Sequence, residues 1–421
     1  MPNNSFASIA GAVPKPLRRL ARTRIIPPAL RFWRRISGAT PSAVEAQRFR
    51  VPGHETFMGY YDIAPVSADS AALLAHVAEA ARRPARADDM AKVGFFTLDD
   101  GRFVELARTT LWCWQLGARL CWWPGNDWTL AFNALHKGRP CFVAAREGAT
   151  SETLCDGPVF DLARDGRTGI ALNFGRLAKA RPGYGFPAIA DPFADELLPS
   201  RDGVTLVDLV SGRQDLLYPL SDFAALAGED RPGAFHYLNA AALSPAGTRF
   251  SVLHKRMHSA NDPSRWDVQA VVGETDGSKL RRVALPGSAS HYWWLDEARI
   301  AYTTASRAGH CYWLYDVATE AVTALLESAP LIDGHPSRSP VGSTWLTDTY
   351  PDLYGEQTLY LFGEEPGARQ RIGALAADPR YVDEWRCDLH PRWSPDGRAV
   401  YVDSTHEGFR AIYRIDAGPR L

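Results

Sequence analysis

The chain has almost no net charge, with 47 Lys and Arg against 48 Asp and Glu for a formal −1 over 421 residues. No global positive field is available to neutralise phosphates, so nucleic acid is not an expected partner. Apolar runs are short, and none approaches the roughly 20 residues that span a bilayer. An apolar signal core is also missing near the N-terminus, where Lys15, Arg18, Arg19, Arg22 and Arg24 interrupt the sequence. The expected location is cytoplasmic, or membrane-associated through the basic leader. The six cysteines (Cys113, Cys121, Cys141, Cys155, Cys311 and Cys387) are scattered and form no Cys-x-x-Cys. That favours buried thiols over a disulfide scaffold or a cysteine zinc site. The chain also lacks a Gly-x-Ser-x-Gly elbow, a phosphate loop, a dinucleotide fingerprint and a His-Glu-x-x-His helix, which removes the motif-bearing hydrolases, nucleotidases and dehydrogenases.

What is present is a repeat. Near the C-terminus, Asp388-Leu389-His390-Pro391-Arg392-Trp393 runs into Ser394-Pro395-Asp396-Gly397, then Val400-Tyr401-Val402-Asp403, then Ala411-Ile412-Tyr413-Arg414-Ile415-Asp416. The Pro presets φ, the Asp bonds to backbone and the Gly accepts positive φ, so the tetrad is a turn with strands on either side. With that turn as a ruler, the same order can be read in seven places, with inner strands ending before Ser67, Trp123, Ala163, Ser244, Leu295, Ser339 and Ser394. Repeats of this length describe an all-β, seven-bladed β-propeller. The last repeat has room for three strands, so the segment 46–51 is expected to supply the fourth and close the ring. The domain reading is a basic extension over 1–45 and a propeller over 46–421. Residues 16–35 mix Arg with Leu, Ile, Phe32 and Trp33, a composition suited to peripheral membrane contact. Pro27-Pro28 breaks any single helix there, and a partly disordered basic leader is the simpler reading. The longest insertion, 175–202, is expected as an ordered loop over one face of the ring, where functional loops gather.

The Ser-Pro-Asp-Gly turns and the Ile-Tyr-x-x-Asp strands resemble the TolB-like propeller family over about residues 54–416. A looser resemblance is to propeller polysaccharide lyases of the oligogalacturonate lyase and ulvan lyase kind. The first kind implies a divalent metal held by histidines from neighbouring blades, with a further histidine in the β-elimination. The second implies a Tyr, a His and an Arg sharing that chemistry.

Counting four residues back from each turn gives Ile63, Arg119, Val159, Ala240, His291, His335 and His390. Three consecutive blades thus present a histidine at one level of the channel. Imidazoles converging on one point suit a divalent ion such as Mn or Zn, and Asp333 and Asp388, each two residues before a histidine, are the expected outer acceptors. Asp62, Asn239, Arg119 and His54 are candidate substrate contacts at the same mouth. Tyr184 lies between two glycines near Arg181, a setting that reads as exposed; Tyr184 or His236 would act as base or acid, and Arg181 would neutralise a carboxylate. For each of these residues a plain structural role (strand cap, core ring or solvated loop) is the competing reading. Two functions follow. One is a lyase that cleaves an acidic, uronate-containing polysaccharide or oligosaccharide by metal-assisted β-elimination. The other is a non-catalytic propeller that binds a glycan or protein partner in surface-polysaccharide assembly.

Overall fold

The computed structural model describes residues 44–125, 128–228, 231–260, 262–306, 309–331, 333–352, 354–363 and 369–418. The segment 16–35 lies outside these. The described strands form seven antiparallel sheets of four, arranged as the blades of a propeller. Strand β1 (Ala46–Phe49) belongs to the last blade. The first blade is β2 (His54–Phe57), β3 (Ala72–Glu79), β4 (Ala91–Thr97) and β5 (Phe103–Thr109); the second is β6 (Cys121–Trp122), β7 (Leu130–His136), β8 (Arg139–Ala145) and β9 (Glu152–Asp156). The third is β10 (Asp161–Leu162), β11 (Thr168–Ala171), β12 (Gly203–Asp208) and β13 (Gln214–Pro219), and the fourth is β14 (Phe235–Leu243), β15 (Arg249–Ser259), β16 (Asp262–Glu274) and β17 (Leu280–Arg282). The fifth is β18 (Ser288–Trp294), β19 (Arg299–Ser306), β20 (Gly309–Asp316) and β21 (Val322–Leu331), and the sixth is β22 (Ser337–Arg338), β23 (Trp345–Thr347), β24 (Glu356–Phe362) and β25 (Arg369–Ala376). The seventh contains β26 (Arg392–Trp393), β27 (Ala399–Ser404) and β28 (Ala411–Asp416), and β1 completes it, pairing Ala46 with Ile415 through Phe49 with Ile412. This closure joins the two ends of the ring and covers the edge that β28 would otherwise expose.

The turns work as their sequence suggests. Ser394 Oγ donates to Asp396 at 2.6 Å and accepts from Ala399 N at 2.9 Å, while Gly397 takes φ of 66°. Blade faces are apolar on both sides, so most inner and middle strands are buried along nearly their whole length, as in Ala399–Ser404. All six cysteines are free, and four are buried. Among the described residues no helix is long and apolar enough to cross a membrane.

Two departures from a regular propeller shape the channel. The strand β2 pairs with β3 up to Phe57–His76 and contact resumes at Val66–Leu73. Only Leu74 and Ala75 face residues 58–65, so that segment leaves the sheet as a broad bulge carrying Tyr60, Tyr61 and Asp62. Asp403 anchors it by accepting from Met58 N at 2.9 Å, and Gly59 is needed there because at φ of 104° a Cβ would meet Leu116 O at 2.9 Å. The second departure is the insertion 175–202. It opens with helix α1 (Phe174–Ala180), capped by Asn173 accepting from Arg176 N, where the sequence reading expected only loop. A further short helix, α2 (Leu220–Leu226), follows β13. Buried Arg176 ties the insertion down by donating to His236 O at 2.6 Å and Leu197 O at 2.8 Å and pairing with Asp191 at 3.3 Å.

Several buried rings are held neutral. Burial lowers His76 and His254 to about 3 and His236 to about 4. These folded values lie below the unfolded value of about 6.5, so the unfolded chain binds the extra protons as the pH drops. The associated stability is complete above about pH 6.5 and is lost as pH falls toward 4. Urea midpoints at pH 7.5 and 4.5 should therefore differ, with the acid value lower; equal midpoints would contradict this account.

Candidate active site

The structure brings the three in-register histidines together at the channel face where the inner strands begin. The ring centroids of His291 and His335 are 4.2 Å apart and those of His335 and His390 are 4.4 Å apart. Each ring is 3% exposed or less. The bulge supplies the neighbouring aromatics: Tyr60 lies 5.0 Å from His390, and Tyr61 lies 5.1 Å from His335. Tyr61 is fixed from behind, donating to Tyr292 O at 2.7 Å and accepting from Tyr292 N at 3.0 Å.

Each histidine is oriented through Nδ1. His390 Nδ1 donates to Gly59 O at 2.8 Å, His335 Nδ1 to Asp348 at 2.9 Å, and His291 Nδ1 to Asp333 at 3.1 Å. The Nε2 lone pairs are thereby left to face inward. The Nε2 atoms of His335 and His390 are buried and have no hydrogen-bond partner, an expensive state unless something else occupies them. Asp388, 3% exposed, completes a group with His335 and His390 whose ligand atoms lie within 4.8 Å of one another. Two imidazoles and a carboxylate form a donor set that suits Mn, Fe or Zn, so the residues fit a divalent ion. Asp388 also accepts from Arg386 Nε at 2.9 Å, which leaves further lone pairs on the carboxylate. Burial, with the His335 and Arg392 charges added, keeps His390 well below the usual histidine value. Burial also pulls His335 down, but Asp348 with Asp388 and Asp333 more than offsets it, so this ring is raised. A carboxylate behind a ligating imidazole raises its basicity in this way.

This geometry revises the expected outer partners. Asp333 does hold a histidine, but that residue is His291 in the preceding blade, not His335 two positions on. The acceptor for His335 is Asp348, which follows β23 and was not anticipated. Asp388 joins the candidate ligand group, and a backbone carbonyl orients His390. His291 lies outside that group, with its ring against His335.

Tyr184 is 1% exposed, contrary to the sequence expectation. Its flanking glycines serve close packing: a Cβ on Gly185 would overlap the Ala178 backbone in α1, and one on Gly183 would meet Glu384 O at 2.9 Å. The phenol accepts from Arg386 Nη2 at 2.6 Å, its ring lies 6.2 Å from that of Tyr60, and the Arg181 guanidinium stacks 4.0 Å above it. Tyr184 and Arg181 therefore do line the chamber. Arg181 is half-buried and, among the described residues, makes no ion pair.

His236 turns away. Alternation along β14 sends Tyr237 to the Arg181 side and His236 to the opposite face, where His236 Nδ1 meets His254 Nε2 at 3.0 Å. Gln269 donates through its amide to both Phe223 O at 2.8 Å and His254 Nδ1 at 2.9 Å, so His254 carries its proton on Nε2. His236 Nδ1 is then an acceptor already in use, which removes its free base lone pair and its place in the expected catalytic set.

Asp62 and Arg119 are likewise occupied with each other, in a bidentate pair at 2.9 Å and 2.9 Å; Arg119 Nε donates to Phe160 O at 2.5 Å, and its Nη2 lies 3.6 Å from Asp161 in a second ion pair. They floor a separate pocket of 280 Å³ at the turn end of the channel, walled by Trp122, Trp293 and Trp294. Burial raises Asp161 there to about 7. Asn239 is buried with its side-chain oxygen unpartnered. His54 is at the start of β2, its Nδ1 donating to Pro52 O at 3.1 Å. Among the described residues, no hydrogen bond joins Asn239 or His54 to the histidine group.

Comparison with known proteins is informative at the level of fold. No protein-family profile matches the chain, and no curated protein sequence matches it. Among solved structures, an oligogalacturonate lyase from Vibrio parahaemolyticus superposes with a TM-score of 0.64 at 14% identity, covering 89% of this chain and 94% of that one. An oligogalacturonate lyase in complex with manganese gives a TM-score of 0.63 at 15% identity, over 90% and 94%. TolB from Acinetobacter baumannii aligns more loosely, with a TM-score of 0.38 at 13% identity over 83% and 65%. The chain thus has a seven-bladed propeller fold of the kind seen in oligogalacturonate lyases.

Proposed function

We propose that this protein is a lyase that cleaves a uronate-containing polysaccharide or oligosaccharide by β-elimination, assisted by a divalent metal. The observation that carries the proposal is the meeting, in one chamber, of two orphaned histidine nitrogens and a carboxylate with a guanidinium, Arg181, that has no counter-ion among the described residues. Buried ligands of this kind call for a cation, and an unpaired arginine calls for an anion. Such a pairing suits a substrate whose carboxylate must be neutralised while the adjacent carbon loses a proton. The shared fold with two oligogalacturonate lyases, one of them a manganese complex, supports the same reading.

In this reading His335, His390 and Asp388 hold the ion. When bound, it supplies Lewis-acid stabilisation of negative charge on the substrate carboxylate. Arg181 grips the same carboxylate, since its guanidinium is positioned by Tyr184 rather than by a competing acid. Arg386 holds the Tyr184 hydroxyl toward the chamber and draws Asp388 into place. Tyr60 and Tyr61 pack their rings against His390 and His335.

The test is incubation with a panel of galacturonate-, glucuronate- and iduronate-containing glycans in the presence of manganese. Growth of the ultraviolet absorbance of an unsaturated uronate is expected, together with its suppression by chelator. Saturable glycan binding with no product from any member of the panel would contradict catalysis and support the non-catalytic propeller.

A further inference from the structure

Strands β15 and β16 are 11 and 13 residues long, whereas β27 and β28 in the closing blade each have 6. The extra length extends past the start of β14 on the chamber face. Just before this extension Lys255 pairs with Tyr237 inside β14 and lies on the same sheet face. Lys255 is 3% exposed, and its ammonium sits 4.2 Å above the ring of Trp266, itself 45% exposed. Among the described residues it makes no ion pair and no hydrogen bond. A lysine is almost never buried without a partner unless its charge can be given up or a ligand is to meet it.

Its surroundings favour giving up the charge. Burial is the main force holding Lys255 well below its ordinary value of 10.5, and the Arg181 charge adds to it, while Asp333 opposes both. The groups that face it are thus Arg181 from the insertion after α1, Asp333 ahead of β22, Tyr237 of β14 and Trp266 of β16. Arg181 and Asp333 are parts of the chamber already described, so the amine lies within electrostatic reach of that chamber.

We propose that Lys255 is the base of the elimination, taking the proton from the carbon next to the uronate carboxylate. This rests on the lyase reading above. The neutral amine accepts the proton and becomes an ammonium. The electron pair of the broken C–H bond forms the C4–C5 double bond, and the C4–O bond to the leaving sugar breaks with its pair on oxygen. That oxygen is protonated by water, and the ammonium returns its proton to solvent, so protons and electrons balance. Trp266 offers its exposed face to a sugar ring, while its other face fixes the amine. The base that the sequence reading sought in His236 is then one residue further along β14 and one strand across.

Lys255→Met and Lys255→Arg should each lower kcat by about 10² to 10⁴-fold with KM little changed, the range ascribed to general acid–base catalysis. Added methylamine should partly restore the Met variant, which a purely structural residue would not permit. In the wild-type protein, kcat should rise with pH through the Lys255 titration and level off well below 10.5, because the neutral amine is the active form. A readout independent of turnover is the nuclear magnetic resonance titration of isotope-labelled lysine, with Lys255 one of only six lysines; one signal, absent from Lys255→Arg, should titrate far below the others. An active wild type with an equally active Lys255→Arg would leave the lyase reading standing and overturn the base assignment, as would a Lys255 signal titrating with the other five. A wild type that yields no unsaturated product from any glycan would overturn both.

Discussion

Replacing His390 with alanine is expected to abolish stoichiometric binding of divalent metal and to lower turnover on an acidic glycan. The argument is geometric. Two Nε2 atoms without hydrogen bonds, in rings oriented by Gly59 and Asp348, converge with Asp388. Removing one of three donors leaves too few ligands for a stable site. The Lewis-acid contribution to charge stabilisation is several kcal/mol, so the rate should fall on the order of 10³-fold. Because His390 packs against Tyr60 and His335, alanine also opens a cavity, and a loss of activity through misfolding must be separated from loss of the site. Asp388→Asn does this: it keeps side-chain shape and an oxygen for Arg386, and a loss of metal together with a retained cooperative urea transition assigns the loss to the site. A His390→Ala protein with full metal content by elemental analysis would remove this residue from the site.

The second large effect concerns stability. Arg119→Met should destabilise the fold by about 3–5 kcal/mol, the usual consequence of stranding a buried ionic partner. Arg119 has 2% side-chain exposure and Asp62 has 16%, and the two bidentate bonds leave neither free for a substrate carboxylate. Burial of Arg119 is further offset by Phe160 O and Asp161. Denaturation with urea should show the loss as a lower midpoint, while metal content at low denaturant is unchanged, since the pair sits beyond Tyr61 from the histidines. A normal midpoint together with a raised KM would instead return Arg119 to the substrate site.

The repeat made the fold legible because its turn chemistry is local. Ser394, Asp396 and Gly397 set their own geometry within four residues, and each weaker copy fixes where an inner strand ends. The same local ruler placed three histidines at one level, and the rings are indeed adjacent. It could not see what orients them. Asp348 lies 13 residues from His335, at the end of another strand, and Gly59 lies 331 residues from His390. Such partners depend on ring closure and on the bulge, which is a failure of pairing that no turn motif announces. The two glycines around Tyr184 were read as a sign of exposure, but a glycine equally marks a place where two backbones press together, and here α1 and Glu384 do so. α1 itself was hidden by Gly175, which is tolerated because a Cβ there would meet the backbone at Ala190 and Asp191. The turn ruler locates inner strands only, whereas Lys255 belongs to a second strand, β15, that runs past the start of β14. Its signal was available: a lysine within Phe250-Ser251-Val252-Leu253-His254-Lys255, a run that is buried throughout.

The central claim is that His335, Asp388 and His390 hold a divalent cation at the channel face opposite the Asp62–Arg119 pocket. Crystals grown with manganese and measured for anomalous scattering test it most directly. The account predicts one peak within ligand distance of His335 Nε2, His390 Nε2 and an Asp388 oxygen. An absence of any peak there at saturating manganese, or a peak held only by other residues, would contradict it.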